Sequence, residues 1–202
     1  MRFLVVLILM FSALNQALAA SLRAGDVILQ PLRCYSCSLI EQQEGSDYAH
    51  MGLVVKGGNN PLIAESLGQV RVVSLAEFLA KGDPSRAHKI LRPRERTTFR
   101  LLEAIAPWLG AEFDRAFRWD NLGRDGREAF YCSELVTKLL NQFLETPMRP
   151  KPMDYSENFA GWSAYFNGDV PQGEPGISPA DYERSDLFKP LGTIKGNAWT
   201  WH

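Results

Sequence analysis

Four turn-forming residues, Gly57-Gly58-Asn59-Asn60, stand between two short apolar runs, and they constrain the fold more than any other feature of the chain. The first run is residues 50–56 and the second is residues 61–66. Because Gly and Asn tolerate the backbone angles of a tight turn, the two runs are predicted to pair as an antiparallel hairpin. A further strand is predicted at residues 69–73, after Gly68. The chain is therefore expected to contain an antiparallel sheet.

Four segments carry helix signals. Apolar residues recur at helical spacing over residues 132–144, which form the clearest predicted helix. Ser74, with a glutamate three residues later, has the pattern of a capping box and predicts a second helix. Ser178-Pro179 marks the start of a third helix, with proline at the first helical position. Residues 98–110 are predicted to be helical with a kink near Pro107.

The remaining segments complete the prediction of the fold class. Strands are expected at residues 25–30, 87–92 and 190–195. Residues 31–49 are predicted as a loop or short helical segment, and residues 146–176 as an irregular excursion. Since hairpin-type connections join most of the strands, the pattern predicts the α+β class, an antiparallel sheet packed against helices.

The N-terminus has the pattern of a secretory signal peptide. Arg2 supplies a positive charge, residues 3–14 form an apolar run, and Ala17-Leu18-Ala19 is a small-x-small cleavage site. We therefore predict a signal peptide over residues 1–19 and a single domain over residues 20–202, in a protein that is periplasmic or secreted. The apolar run is too short for a comfortable membrane span, and no later segment is long enough, so no stable span is expected after cleavage.

The charge balance argues against a nucleic-acid partner. The chain carries 22 Lys and Arg against 23 Asp and Glu, a net charge of -1. A protein without an overall basic field has little attraction for a phosphate backbone. One local stretch is basic, and we interpret it as a solvated strand end and helix start: Lys89, Arg92, Arg94, Arg96 and Arg100.

The cysteine content predicts one disulfide and one free thiol. The chain has three cysteines, and an oxidising compartment pairs thiols, so an odd count leaves one over. Cys34 and Cys37 are close enough in sequence to pair, which leaves Cys132. A thioredoxin-like redox motif at Cys34 is an alternative, but such a motif follows a strand in a βαβ unit. A zinc site would need two more ligands, so no metal is expected.

Cys132 lies at the predicted start of the clearest helix. A helix N-terminus carries partial positive charge and unpaired N–H groups, which stabilise a thiolate and can receive a developing oxyanion. Cys132 is therefore a candidate nucleophile. The alternative is a buried cysteine that packs as a small hydrophobe.

A histidine and a glutamate complete the candidate site. Of the three histidines, His50 opens an apolar strand, where a polar ring needs a partner, and it is the candidate general base. Glu65 lies on the strand predicted to pair with that of His50, and a carboxylate in an apolar strand is costly unless paired. It is the candidate third group that orients the base. The alternatives are a core histidine bonded to a carbonyl and a glutamate that points to solvent.

The order of these motifs resembles a known family. Gly-Asp-Val-Ile-Leu, His-Met-Gly-Leu-Val-Val, Ile-Ala-Glu-Ser and Phe-Tyr-Cys-Ser-Glu-Leu-Val are similar to segments of the permuted papain-like amidases of the NlpC-type superfamily, the YiiX and YebB kind. The resemblance covers most of residues 23–195. It implies a papain-like fold in which the histidine strand precedes the cysteine helix, with Cys132 as nucleophile, His50 as base and Glu65 as the polar third residue.

Together these features predict an exported thiol hydrolase that cleaves an amide or related acyl bond through an acyl-enzyme and needs no cofactor. The expected substrate is a peptide, a cell-wall peptide or a lipid-linked acyl group, as the resemblance implies. An acyltransferase on the same triad and a non-catalytic cell-wall or peptide-binding module are the alternatives. A redox protein that uses Cys34 and Cys37 is a third. Tyr48 and Tyr131 flank the candidate catalytic positions and are interpreted mainly as packing aromatics.

Overall fold

The computed structural model describes residues 22–95, 98–196 and 198–201. The predicted signal peptide, Arg96 and His202 lie outside these residues. Nine strands are present in the described part of the chain: β1 Val27–Gln30, β2 His50–Lys56, β3 Leu62–Leu67, β4 Gln69–Ser74, β5 His88–Pro93, β6 Lys151–Pro152, β7 Pro175–Gly176, β8 Phe188–Lys195 and β9 Ala198–Trp201.

The described helices lie between these strands in the chain order, and each is short. They are α1 Tyr35–Glu44, α2 Leu75–Lys81, α3 Leu101–Ala104, α4 Cys132–Leu140, α5 Phe159–Tyr165 and α6 Pro179–Arg184, with a 3-10 turn at Ala106–Trp108. None of the helices in the described residues has both the length and the apolar character needed to cross a membrane.

Hydrogen bonding joins seven of the strands into one antiparallel sheet in the order β4-β3-β2-β1-β5-β8-β9, whereas β6 and β7 form a separate two-stranded sheet. The Gly-Gly-Asn-Asn cluster produces the predicted hairpin, in which Leu53 pairs with Ala64 and Val54 with Ile63. A bulge between Val54 and Lys56 then shifts the register. The predicted α+β class is confirmed.

Two apolar clusters cover the two faces of the sheet. On one face Leu29, Met51 and Leu53 pack in a cluster with Leu135 and Leu139 of α4. On the other face the cluster contains Ile28, Val54, Ile63, Ile90 and Phe78 of α2. Leu29 and Ile28 are adjacent in sequence and belong to different clusters, as the alternation of side chains along a strand requires. This packing fixes α4, and with it Cys132, against the central strands.

Several element boundaries differ from the predictions. The predicted helix at residues 98–110 is only α3 followed by a 3-10 turn, because Pro107 has no N–H to continue α-helical bonding. The predicted helix at residues 132–144 ends at Leu140. Residues 31–49, predicted as a loop or short helical segment, contain the ten-residue helix α1.

The prediction of an irregular excursion at residues 146–176 is wrong in part. The segment contains α5 and both strands of the small two-stranded sheet. The Asn158 side chain caps α5 by accepting a hydrogen bond from the Gly161 N–H at 3.1 Å. Buried Trp162 holds the helix against α1, in a third apolar cluster with Leu39, Tyr155 and Phe166.

The basic stretch is dispersed among ion pairs and backbone contacts. Lys89 pairs with Glu183 at 2.9 Å and Arg92 with Asp26 at 2.6 Å. Arg94 donates to a backbone carbonyl at 3.0 Å. These contacts support the interpretation of the stretch as ordinary surface.

Candidate active site

Cys132 is the first residue of α4 and is 7% exposed. Tyr131 precedes it at the N-cap position and gives no side-chain cap, so the N–H groups of the first turn are not satisfied by a capping side chain. Cys132 is a free thiol, whereas Cys34 and Cys37 form a disulfide. The predicted disulfide and the predicted free thiol are both present.

His50 begins β2 and is 2% exposed. Its Nε2 donates a hydrogen bond to Glu65 Oε2 at 2.8 Å. A hydrogen bond with the Cys132 side chain is also among the causes that raise the pKa of His50, and both residues line the same cavity. One buried imidazole therefore joins the thiol to the carboxylate.

Glu65 is fully buried on β3. Its second carboxylate oxygen accepts hydrogen bonds from Arg71, a residue that the sequence analysis missed. Arg71 stands directly opposite Glu65 in the β3–β4 register. The Arg71 guanidinium donates to Glu65 Oε1 from Nε at 3.0 Å and from Nη2 at 2.6 Å. The signal available in the sequence was the symmetry of the turn around Gly68, which places residues 65 and 71 across from each other.

The electrostatics of the site follow from this chain of contacts. Burial lowers the pKa of His50, but hydrogen bonds to Cys132 and Glu65 and their charges outweigh it and raise that pKa to about 9. Burial acts to raise the pKa of Glu65, and the interactions with His50 and Arg71 overcome it and hold the pKa below its ordinary value. The arrangement favours an imidazolium beside an ionised Glu65.

An aromatic ring fixes the imidazole plane. Phe78 of α2 stacks on His50 with ring centroids 5.9 Å apart and an interplanar angle of 28°. The space for Phe78 exists because Gly52 has no side chain: a Cβ there would lie 2.6 Å from both Phe78 Cε2 and Ile63 Cγ2. Gly52, in the His-Met-Gly segment, is therefore required by packing next to the histidine.

The other candidate side chains are not members of the Cys132–His50–Glu65 group. His88 is 4% exposed, and its Nδ1 contacts the Ile194 carbonyl at 3.3 Å, so it is a core histidine. Tyr48 is buried in the apolar core. The Tyr131 hydroxyl accepts from the Ile177 N–H at 3.2 Å, which anchors the residue before the thiol.

A cavity of about 310 Å³ opens beside the thiol and the imidazole. Its walls come from α1 with the disulfide, from the start of α4, from α5 and from the loop that carries Phe117. The disulfide lies at the N-terminus of α1, where the Cys34 sulfur accepts from the Cys37 N–H at 3.1 Å. The predicted position of the disulfide, next to the candidate active site, agrees with this placement.

The chain is similar to known proteins in sequence and in fold. Residues 21–191 match the model of a family described as permuted papain-like amidase enzymes of the YaeF/YiiX type, the C92 family. The uncharacterized protein YiiX of Escherichia coli strain K12 is 28% identical over 127 residues, which cover 60% of this chain. That match spans 59% of the length of YiiX.

A solved structure shows the same fold. The crystal structure of YiiX from Escherichia coli O157:H7, described as a metalloprotein, has a TM-score of 0.71 to this chain at 24% sequence identity. The match covers 89% of this chain and 98% of the other.

Proposed function

The chain belongs to the family of permuted papain-like amidases, and from this premise we propose that it is an exported thiol hydrolase of amide or related acyl bonds. Cys132 is the nucleophile, His50 the general base and acid, and Glu65 the group that orients His50. The observation that carries the proposal is the bonding of His50: its Nε2 lies 2.8 Å from Glu65 Oε2, and a hydrogen bond with Cys132 is among the causes that raise its pKa. Arg71 acts as a positioning residue behind Glu65.

The proposed reaction proceeds in two halves. His50 takes the proton of Cys132, and the thiolate attacks the carbonyl carbon to form a tetrahedral intermediate. The N–H groups at the start of α4 face the developing oxyanion. The imidazolium then protonates the leaving amine as the carbon–nitrogen bond breaks, which leaves the acyl-enzyme. Water attacks this thioester with His50 as base and frees the thiol.

A metal has no step in this proposal. In the described part of the chain, three carboxylates bring ligand oxygens within 4.8 Å of one another: Asp120, Glu128 and Glu134. The ammonium of Lys138 pairs with all three, at 2.6 Å from Asp120 and 2.8 Å from Glu134. Because a fixed positive charge already sits among these oxygens, the group does not fit a cation.

Export is proposed from the N-terminal pattern, and the disulfide supports it because disulfides persist in oxidising compartments. The mature chain should then begin at Ala20. Intact mass measured on protein from the periplasm or medium checks this start, and a mass that includes residues 1–19 contradicts it.

The thiol reactivity tests the catalytic proposal. A model thiol with a pKa of about 8.5 is only about 0.3% thiolate at pH 6. Cys132 should react with iodoacetamide at pH 6 at least about tenfold faster than a model thiol, because the imidazolium stabilises its thiolate. His50→Ala should remove this advantage, and Cys132→Ser should abolish hydrolysis of an activated ester while keeping the fold.

His88→Ala is the matched control, because His88 is the other described histidine and is similarly buried. It should leave the alkylation rate of the folded protein nearly unchanged. If Cys132 reacts no faster than a model thiol, and the His50 change has no effect, the chain is a binding module rather than an enzyme.

A further inference from the structure

The cavity beside Cys132 has an aromatic wall that hydrolysis alone does not require. Phe117 lies at the centre of this wall. Its ring centroid is 5.7 Å from that of Tyr131, 6.4 Å from that of Trp162 and 5.6 Å from that of Tyr165. Phe117 has φ of 52°, a left-handed backbone that non-glycine residues rarely adopt. Such strain persists only where the surroundings hold it, and it is concentrated at functional sites. The ring is thus held in place as part of the wall.

Aliphatic side chains also line the cavity. They are Ile40 of α1, Leu67 at the end of β3 and Met153, which follows β6. All three are partly exposed. An apolar group that fills a cavity with such a lining is removed from contact with water together with the apolar side chains around it, which is favourable.

Most polar side chains that line this cavity are already bonded to the protein. Ser133 Oγ donates to the Ile177 carbonyl at 2.7 Å, and the Tyr131 hydroxyl accepts from the Ile177 N–H. The amide oxygen of Gln43 accepts from a backbone N–H at 2.9 Å. Ser178 is engaged in the capping box of α6. The Ser133 and Ser178 hydroxyls and the Gln43 amide oxygen are therefore already engaged within the protein.

The bonding pattern argues against a peptide in the cavity. Each peptide unit brings a donor and an acceptor, and burying them without partners is costly. Among the buried polar atoms of the described residues that line the cavity, Trp162 Nε1 has no partner, and one indole N–H cannot satisfy a peptide chain. Arg115 and Asp154 line the cavity but are exposed, so they mark its rim.

The size of the cavity argues against a single aromatic side chain. An apolar cavity of about 150 Å³ accommodates a benzene ring. The cavity here, about 310 Å³, is roughly twice as large. By proportion with the six carbons of benzene, it has room for a chain on the order of twelve carbons.

The wall lies next to the residue that carries the acyl group. It starts at Tyr131, the residue before the thiol, and continues through Phe117 to Trp162. In the proposed reaction the acyl portion stays bonded to Cys132 in the acyl-enzyme, and Cys132 lines the same cavity. The part of the substrate that remains beside this cavity after the leaving group departs is therefore the acyl portion.

We propose that the cavity binds an unbranched apolar acyl chain of roughly eight to twelve carbons, so that the substrate is a fatty acyl amide or ester. This inference rests on the proposed function and names its substrate class. The thiolate attacks the fatty acyl carbonyl, the amine or alcohol leaves with the proton from His50, and water releases the free fatty acid.

A chain-length series tests the proposal. Hydrolysis of p-nitrophenyl acetate, butyrate, octanoate and 3-phenylpropanoate is followed by nitrophenolate release below the aggregation concentration of each ester. Burial of one methylene contributes about 0.8 kcal/mol, which is up to about fourfold in kcat/KM. We expect octanoate to exceed acetate by at least about a hundredfold, and to exceed 3-phenylpropanoate.

Two variants test whether the preference for octanoate depends on this cavity. Ile40→Trp places a large ring in the cavity and should lower the octanoate-to-acetate ratio of kcat/KM by at least about tenfold. Leu102→Trp is the matched control, because Leu102 is 45% exposed and does not line the cavity. It should keep the wild-type ratio.

The outcomes separate this inference from the proposed function. Hydrolysis that depends on Cys132 but shows no preference for octanoate overturns the acyl-chain inference and keeps the thiol hydrolase. A preference for 3-phenylpropanoate also overturns it, in favour of an aromatic side chain. If Ile40→Trp leaves the octanoate-to-acetate ratio of kcat/KM unchanged, the acyl chain binds elsewhere, and this outcome also overturns the acyl-chain inference. If no ester is hydrolysed in a Cys132-dependent manner, both proposals fail.

Discussion

Replacing Arg71 with methionine isolates the role of the residue behind the candidate triad. Arg71 gives two hydrogen bonds to Glu65 Oε1, at 3.0 Å and 2.6 Å. Methionine keeps most of the apolar stem and removes the charge. Glu65 is fully buried, so the variant leaves its carboxylate with the hydrogen bond to His50.

The size of the expected loss in the free energy of unfolding follows from the burial of Glu65. Removing one partner of a buried ion pair costs about 3–5 kcal/mol, because the other charge stays buried without compensation. The Arg71 side chain is 27% exposed and His50 still bonds Glu65, so a loss of about 3 kcal/mol in the free energy of unfolding is expected. The double variant Arg71→Met with Glu65→Gln removes the unpaired charge and should recover at least about 1 kcal/mol of this loss.

The pH dependence of the loss has a definite sign. The pKa of Glu65 is lowered in the folded protein, so its ionised form stabilises the fold above the unfolded value of 4.5. That stabilisation disappears as the pH falls through the folded pKa. The difference between wild type and Arg71→Met should therefore be full at pH 7 and shrink below about pH 4.5.

Urea unfolding followed by circular dichroism measures these differences, with unchanged m-values as the check on two-state behaviour. Arg124→Met is the matched control, because the Arg124 side chain is 91% exposed in its pair with Glu112. This change should cost under about 1 kcal/mol. If Arg71→Met costs no more than the control, or if the double variant recovers nothing, the burial argument for Arg71 is refuted.

Two further predictions follow from the site. On an amide substrate, kcat/KM should decrease above about pH 9. The reason is that the imidazolium of His50, whose pKa is raised to about 9, is the proposed acid for the leaving amine and is lost above that pH. A decrease that already begins near pH 6.5 contradicts this role. Gly52→Ala should lower the free energy of unfolding in urea by about 1–3 kcal/mol and slow the alkylation of Cys132, because the new Cβ displaces Phe78 from the imidazole. A variant as stable and as reactive as wild type contradicts this packing argument.

The local features of the fold could be predicted because they depend on neighbouring residues. Turn residues and an apolar run placed β2 at residues 50–56, the bounds that the structure shows. Ser74 and Ser178 both act as N-caps, since their side chains accept bonds from residues 77 and 181. Such signals act within four or five residues and need no knowledge of the rest of the fold.

The features that were missed depend on contacts between distant segments. Helix α5 is held by Trp162, which packs in a cluster with Leu39, more than a hundred residues away. The register of β2 and β3 includes a bulge between Val54 and Lys56, and no residue pattern had indicated it. The contact between Arg71 and Glu65 required both the register of β4 and the burial of Glu65, so the sequence could offer Glu65 only as a candidate.

The candidate site is best understood as a line of alternating charges. In the proposed ion pair, a thiolate at Cys132 is followed by the imidazolium of His50, the carboxylate of Glu65 and the guanidinium of Arg71. Burial of any one of these charges alone would be unfavourable, but each lies between or beside groups of opposite sign. Only the last member is substantially exposed, at 27% of its side chain, so the line connects the cavity to solvent at the sheet edge formed by β4. The positions of these charges are set by strand pairing and by the start of α4, which explains why a site of this kind requires the whole sheet to be in register.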